Sequence, residues 1–262
     1  MKNVKKLQNL IIVLIVLLSI GTLASMPAKA QTNTLSQFVF NTLSTPQTAG
    51  SVFTITITAK TSNGNTYRSY TGINTLTVSS GTITPTTTTA FVAGVWTGQV
   101  KLSQAGTGIS ISTSGSGKSG TTNKITVNPG ALDRYIFSTI SSPQTAGKAF
   151  SITITAKDAN SNTVTSYTGT NTITASLGTI TPISTSAFVG GVWTGSVSLS
   201  ASSSGTTIGT SGSSKSGTSN SFNVNAGALD HFIFSSIGTQ TVGSAFGITI
   251  TAKDASGNTV TS

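Results

Sequence analysis

The feature that most constrains this chain is that it repeats itself. Phe38-Val39-Phe40 returns as Tyr135-Ile136-Phe137 and again as Phe232-Ile233-Phe234, each copy 97 residues after the last. Pro46-Gln47-Thr48-Ala49-Gly50 returns as Pro143-Gln144-Thr145-Ala146-Gly147, and Gly94-Val95-Trp96-Thr97-Gly98 as Gly191-Val192-Trp193-Thr194-Gly195. Long-range identity with so little drift marks tandem duplication, so the chain should fold as copies of one small unit. The third copy is one residue shorter near Gly238-Thr239, and Ser262 corresponds to Ser166 of the second. The expected organisation is repeat 1 over residues 31–129, repeat 2 over 130–226 and a truncated start of repeat 3 over 227–262. The joints fall at Asn128-Pro129-Gly130 and Asn225-Ala226-Gly227, where proline, glycine and alanine interrupt the pattern. Residues 227–262 are expected to form an open half-sandwich, disordered or associated with another copy, and the chain to be the N-terminal part of a longer protein.

Within a repeat the apolar period is two. Phe150, Ile152, Ile154 and Ala156 alternate with Ser151, Thr153 and Thr155, which is the pattern of a strand with one wet face. Phe53-Ile55-Ile57-Ala59 and Phe246-Ile248-Ile250-Ala252 repeat it. Trp193, Val197 and Leu199 share one face of a further strand, as do Trp96, Val100 and Leu102. Shorter β-branched runs fall at 172–175, 206–208 and 221–224, separated by glycine, asparagine and serine clusters such as 160–162 and 212–217. No part of residues 31–262 holds helical spacing for two turns. Roughly seven short strands per repeat indicate an all-β fold of tandem sandwiches.

Composition narrows the chemistry. Only 7% of residues are charged, against roughly 25% in an average soluble domain. Serine and threonine supply 91 of the 262 residues, there is no glutamate, and histidine occurs once. Apolar residues at 36% with 28 glycines are enough to build a core; hydroxyls stand where charges normally do. The absence of cysteine removes disulfide frameworks, thiolate metal sites and cysteine nucleophiles. The formal charge of +10 includes Lys2, Lys5, Lys6 and Lys29, and the other ten cations are scattered without a run of three. Nucleic-acid binders cluster their basic residues, so no nucleic-acid partner is expected.

The first thirty residues read as an address. A basic stretch over 1–6, an apolar run over 10–20 and Ala28-Lys29-Ala30 form the three parts of a cleaved signal peptide. The apolar segment over 10–23 is too short for the ~20 residues of a bilayer span. Export is therefore expected, to the extracellular space or cell surface, with the membrane met only through this segment.

Ile248-Thr249-Ile250-Thr251-Ala252-Lys253-Asp254-Ala255-Ser256-Gly257-Asn258-Thr259-Val260 resembles the opening strands of bacterial immunoglobulin-like (Ig-like) repeats, found in invasin- and intimin-type adhesins and surface-layer proteins. The resemblance implies tandem Ig-like sandwiches forming a cell-surface stalk. Repeat 1 departs from the pattern, with Thr61 where the later copies carry Asp158 and Asp254.

Several motifs invite chemistry, and the repeat tests each. Gly115-Ser116-Gly117-Lys118-Ser119-Gly120 imitates a phosphate loop, but the earlier glycine of that motif is Ser112 here, no helix follows, and the second copy has Ser214 for Gly117. It reads as a hairpin loop. Asp158-Ala159-Asn160-Ser161-Asn162 and Asp254-Ala255-Ser256-Gly257-Asn258 look like pieces of a calcium loop, yet calcium wants six to eight oxygens with several carboxylates. Asparagine-rich turn chemistry accounts for both, with calcium between repeats as the alternative. Asp133 and Asp158 are the only carboxylate pair in a full repeat, and nothing brings them together for hydrolysis. His231 has Arg134 as its counterpart, so it reads as a drifted surface position. Lys60, Lys157 and Lys253 recur without the acid that an isopeptide crosslink needs, and read as strand-end lysines. Trp96 and Trp193 sit on the apolar face and are assigned to the core, a sugar-stacking surface being the alternative.

No catalytic, cofactor-binding or metal residue is therefore nominated, and no cofactor. The expected protein is a non-enzymatic, exported structural or adhesive repeat protein, acting as a stalk or envelope component. Its partners would be a surface or matrix glycan or protein, or a second copy through the incomplete third repeat. The alternative is a set of accessory or carbohydrate-binding modules of a longer secreted hydrolase.

Overall fold

A computed structural model describes residues 33–261. The signal-peptide reading of residues 1–30 lies outside the described residues. The first unit holds ten strands: β1 (Leu35–Phe40), β2 (Gln47–Thr48), β3 (Val52–Thr61), β4 (Thr75–Val78), β5 (Ile83–Thr84), β6 (Val95–Leu102), β7 (Gly106–Ile109), β8 (Ile111–Gly115), β9 (Lys118–Thr121) and β10 (Ile125–Asn128). They form a four-stranded sheet in the order β1-β3-β6-β5 and two three-stranded sheets, β2-β10-β7 and β4-β8-β9. All pairings are antiparallel except β2 with β10.

Alternation builds the core. In β3 the apolar set Ile55, Ile57 and Ala59 is fully buried, while Thr54 is exposed and Thr56 and Thr58 are half-covered. Each fully buried isoleucine contributes about 1.5–3 kcal/mol. The wet face is knitted by hydroxyls: Thr56 Oγ1 lies 3.0 Å from Thr97 Oγ1 across the β3–β6 pair. Inward-facing residues of all three sheets meet in one cluster around Phe38, Ile57, Leu76, Phe91, Trp96, Val100 and Ile111.

The second unit repeats this plan. Its strands are β11 (Leu132–Phe137), β12 (Gln144–Thr145), β13 (Phe150–Asp158), β14 (Thr172–Ala175), β15 (Ile180–Thr181), β16 (Val192–Leu199), β17 (Ser203–Thr206), β18 (Ile208–Gly212), β19 (Lys215–Thr218) and β20 (Phe222–Asn225). The orders β11-β13-β16-β15, β12-β20-β17 and β14-β18-β19 match the first unit strand for strand. A separate core gathers around Tyr135, Ile154, Ile173, Phe188, Trp193, Val197 and Phe222. The described residues are thus all-β, with two repeated sandwich-like units.

Three details differ from the sequence reading. The run 206–208 is not one strand: the chain breaks at Thr207, so that β17 and β18 belong to different sheets. The glycine-serine cluster 212–217 is half strand, because Lys215–Thr218 pairs with β18. The two-residue strands β2, β5, β12 and β15 are too short to leave a periodic signature.

Beyond the second unit, β21 (Leu229–Phe234) pairs with β22 (Ile250–Asp254) in the register of β11 with β13. The alternating run from Phe246 predicts a longer strand, yet residues 246–249 lie outside β22. Their equivalents Phe150–Thr153 pair only with β16. Among the described residues nothing pairs with 246–249 in that way. The apolar face is correspondingly bare: Phe232 is 56% exposed and Ile250 52%, against 2% for Tyr135 and 0% for Ile154.

Candidate functional site: the joint between repeats

The most elaborate polar arrangement in the molecule sits where one unit meets the next. At the end of β13 the chain turns at Asp158, whose side chain is buried. Its Oδ1 accepts bonds from the backbone N–H groups of Asn160 (2.9 Å) and Asn162 (2.8 Å), closing an Asx turn. Its Oδ2 accepts from the Gly130 backbone N–H (2.8 Å) and from Asn162 Nδ2 (2.8 Å). All four carboxylate lone-pair positions are therefore filled. Asn162 then reaches out of its own unit: Nδ2 donates to the Ser103 carbonyl (2.8 Å), and Oδ1 accepts from the Ala105 N–H (2.9 Å).

The next joint repeats this bond for bond. Asp254 Oδ1 accepts from the N–H groups of Ser256 (2.9 Å) and Asn258 (2.8 Å), and Oδ2 from Gly227 N–H (2.7 Å) and Asn258 Nδ2 (2.8 Å). Asn258 donates to the Ser200 carbonyl (2.8 Å) and accepts from Ser202 N–H (2.9 Å). Gly130 and Gly227 lie close against the unit before: a Cβ there would stand 3.1 and 3.2 Å from the carbonyl oxygens of Ala49 and Ala146, a tight fit.

Electrostatics follow from the same bonds. Burial would raise the Asp158 pKa, but the Asn162 amide and the backbone N–H groups of Gly130, Asn162 and Asn160 outweigh it and hold the carboxyl below its ordinary value. The same balance at Asp254, with Asn258, Gly227 and Ser256 as donors, lowers the pKa to about 2. Calcium does not fit this donor set, since the carboxylate oxygens face N–H groups.

Repeat 1 explains its own departure. Thr61 is buried like the aspartates, and its hydroxyl bonds Asn63 Oδ1 and the Asn65 carbonyl. The turn survives without a carboxylate. Asn65, the counterpart of Asn162, is exposed where Asn162 is buried. Among the described residues, the two loops that carry the aspartate are the two whose asparagine bonds the unit before it.

The other candidate residues fall as follows. Trp96 and Trp193 are each 6% exposed and belong to the core, their indole N–H groups donating to Thr89 Oγ1 and Ser186 Oγ at 3.0 Å. Each ring lies over a glycine of its own strand; a Cβ on Gly98 or Gly195 would come within 2.3 or 2.2 Å of it. That explains the Gly-Val-Trp-Thr-Gly motif and disposes of the sugar-stacking alternative for these rings. The Gly-Ser-Gly-Lys-Ser-Gly segment is the β8–β9 hairpin, with positive φ at Ser116 (46°) and Gly117 (70°) as a type I′ turn requires. Asp133 is exposed and paired with Arg134 at 2.9 Å, while Asp158 is buried and saturated, so the two form no acid–base pair. His231 is exposed beside Asp230 (2.8 Å). Lys157 and Lys253 donate to Thr163 and Thr259 hydroxyls at 3.0 Å.

Sequence reasoning missed a buried network in each unit. Tyr167 donates to Asn171 Oδ1 (2.6 Å), Asn171 N–H to Thr185 Oγ1 (2.8 Å) and Asn171 Nδ2 to Thr210 Oγ1 (3.2 Å). Tyr70, Asn74, Thr88 and Thr113 form the same network in the first unit. The only available signal was the paired recurrence of Tyr70-x-x-x-Asn74 as Tyr167-x-x-x-Asn171.

No family model matches the chain, and no curated protein matches it. Solved structures do. The Escherichia coli adhesin FdeC is similar over 86% of this chain and 75% of its own, at 21% identity and a TM-score of 0.42. The surface-layer protein SbsC, domains 1–6, is similar over 86% of this chain and 32% of its own, at 19% identity and a TM-score of 0.30. A Bacteroides vulgatus β-glycosidase is similar over 71% of this chain and 25% of its own, at 12% identity and a TM-score of 0.32. The chain thus resembles invasin/intimin-type adhesins and surface-layer proteins in structure.

Proposed function

We propose that this chain is an exported, non-enzymatic surface protein whose tandem Ig-like sandwiches, over residues 31–129, 130–226 and from 227 onward, act as a stalk or envelope component. The observation that carries the reading is the joint: the same six hydrogen bonds recur at Asp158–Asn162 and Asp254–Asn258. A chain that reproduces its inter-unit contacts sets a distance and a direction. The chemistry of its carboxylates agrees, since the buried ones are consumed in structure. The partner in this reading is a surface or matrix glycan or protein, held away from the cell by the array. Self-association through Phe232, Phe234 and Ile250 belongs to the same reading, supported by their exposure of 56%, 58% and 52%, and sedimentation of the full chain tests it.

Protease shaving of intact source cells tests the location. Release of peptides from residues 31–262 by protease that leaves cytoplasmic markers intact is the expected result. Recovery of the chain only after lysis overturns the proposal, and hydrolysis of a polysaccharide panel by the purified chain would overturn its non-enzymatic part.

A further inference from the structure

We infer that Asn162 and Asn258 are clasp residues that lock successive repeats in one orientation, each aspartate serving to aim its asparagine across the joint. The inference deepens the stalk reading, and rests on it only for the use to which rigidity is put.

A short linker alone leaves two domains free to move, which is the default when the interface is small and polar. Here the asparagine amide is shared. Its Nδ2 group gives one hydrogen to the aspartate of its own unit and one to a carbonyl of the preceding unit, 2.8 Å in each direction. Its Oδ1 takes an N–H from the preceding unit. The amide plane is thereby fixed from both sides. The donor and acceptor on the far side are backbone groups two residues apart in sequence, at Ser103 and Ala105 and again at Ser200 and Ser202. Backbone contacts of this kind are blind to side-chain drift, which is how Ala105 and Ser202 serve the same socket. The aspartate also holds Gly130 or Gly227, the residue that enters the new unit, so one carboxylate ties the linker to the clasp. At the first joint Asn160 adds a contact against Gly50, where a Cβ would lie 2.7 Å from its Nδ2. The bonds that cross the joint are part-buried, where a hydrogen bond is stronger than in open water.

The occupant of the socket is accordingly an Asp-x-x-x-Asn loop with a glycine linker before it, the start of another copy of this repeat. Thr61 and the exposed Asn65 set repeat 1 apart, since its loop keeps the turn but has no carboxylate to aim the asparagine.

Because the chain lacks cysteine, Gln99→Cys and Ser196→Cys place two spin labels at equivalent exposed positions of the two units in the full chain. The expected parent result is a single narrow inter-label distance. Asn162→Ala should broaden it roughly two-fold or more, towards the motion expected of unclasped domains. Ala105→Pro removes the N–H on the repeat 1 side while sparing the Asp158 turn, and should do the same. Asn65→Ala, at the corresponding position without a clasp, should change nothing. Melting by tryptophan fluorescence confirms that both units are folded, and if Asn162→Ala does not fold, Ala105→Pro decides. Unchanged distributions in the folded variants overturn the clasp and leave the surface assignment standing, because shaving tests that separately.

Discussion

Single side chains carry more of this fold than their number suggests. Trp193 fills the second core while its indole N–H is satisfied by Ser186, so Trp193→Ala should cost about 3–5 kcal/mol in denaturant unfolding. An unchanged midpoint would remove the tryptophan from the core. Ser214 sits at φ 58° in the β18–β19 turn, where the first unit places Gly117 at 70°. Left-handed conformation costs a non-glycine residue roughly 1–2 kcal/mol. Ser214→Gly should therefore stabilise the second unit by ~1 kcal/mol, read as a rise in its melting temperature. The joint aspartates predict a pH response with a definite sign. Asp254 falls from an ordinary 3.8 to about 2, and Asp158 is lowered too, so the folded joint prefers the charged form. The resulting stabilisation is complete above about pH 4 and lost as pH falls towards 2. Arg134 donates to the Asp158 carbonyl and to Ser161 beside this turn. Carboxyl NMR titration should show both Asp158 and Asp254 protonating below the ordinary aspartate value of 3.8.

At the scale of the element, strand length follows from available partners. β13 extends to Phe150 because β16 pairs with its first half, and β22 starts only at Ile250, where its one neighbour begins. Amide exchange should reflect this, with 250–254 slower than 246–249; uniform protection from 246 onward would contradict it. Much of this architecture is legible in the amino-acid order. Ile152, Ile154 and Ala156 announce their strand through alternation, and the Trp193 face is readable in the same way, because period two is a direct consequence of burying one side of a sheet. β15 and β19 are not, since two residues carry no period and Lys215-Ser216-Gly217-Thr218 has no apolar member. The joint was hidden for another reason. Asp158, Asn160 and Asn162 are ordinary turn residues, and the contact of Asn162 with Ser103 spans 59 positions that no local pattern connects. The one clue lay in Thr61, which stands where the later copies carry Asp158 and Asp254.

At the scale of the molecule, the two cores are separate and the units communicate through polar bonds at their poles. Each repeat therefore contributes its own stability, plus a nearest-neighbour increment. Asn171→Leu takes away the acceptor of the Tyr167 hydroxyl and one donor to Thr210 Oγ1 while sparing the backbone bond to Thr185, and should destabilise the second unit by about 1–3 kcal/mol per unsatisfied group while the first melts as before. Loss of both units together would mean that the cores are coupled. The central claim is that the array is stiff because its joints are clasped. The most direct measurement is of backbone residual dipolar couplings on the full chain in weakly aligning medium. A single alignment tensor fitting the amides of 35–128 and of 132–225 together is the predicted result. Two tensors of different magnitude would show independent tumbling and contradict the account.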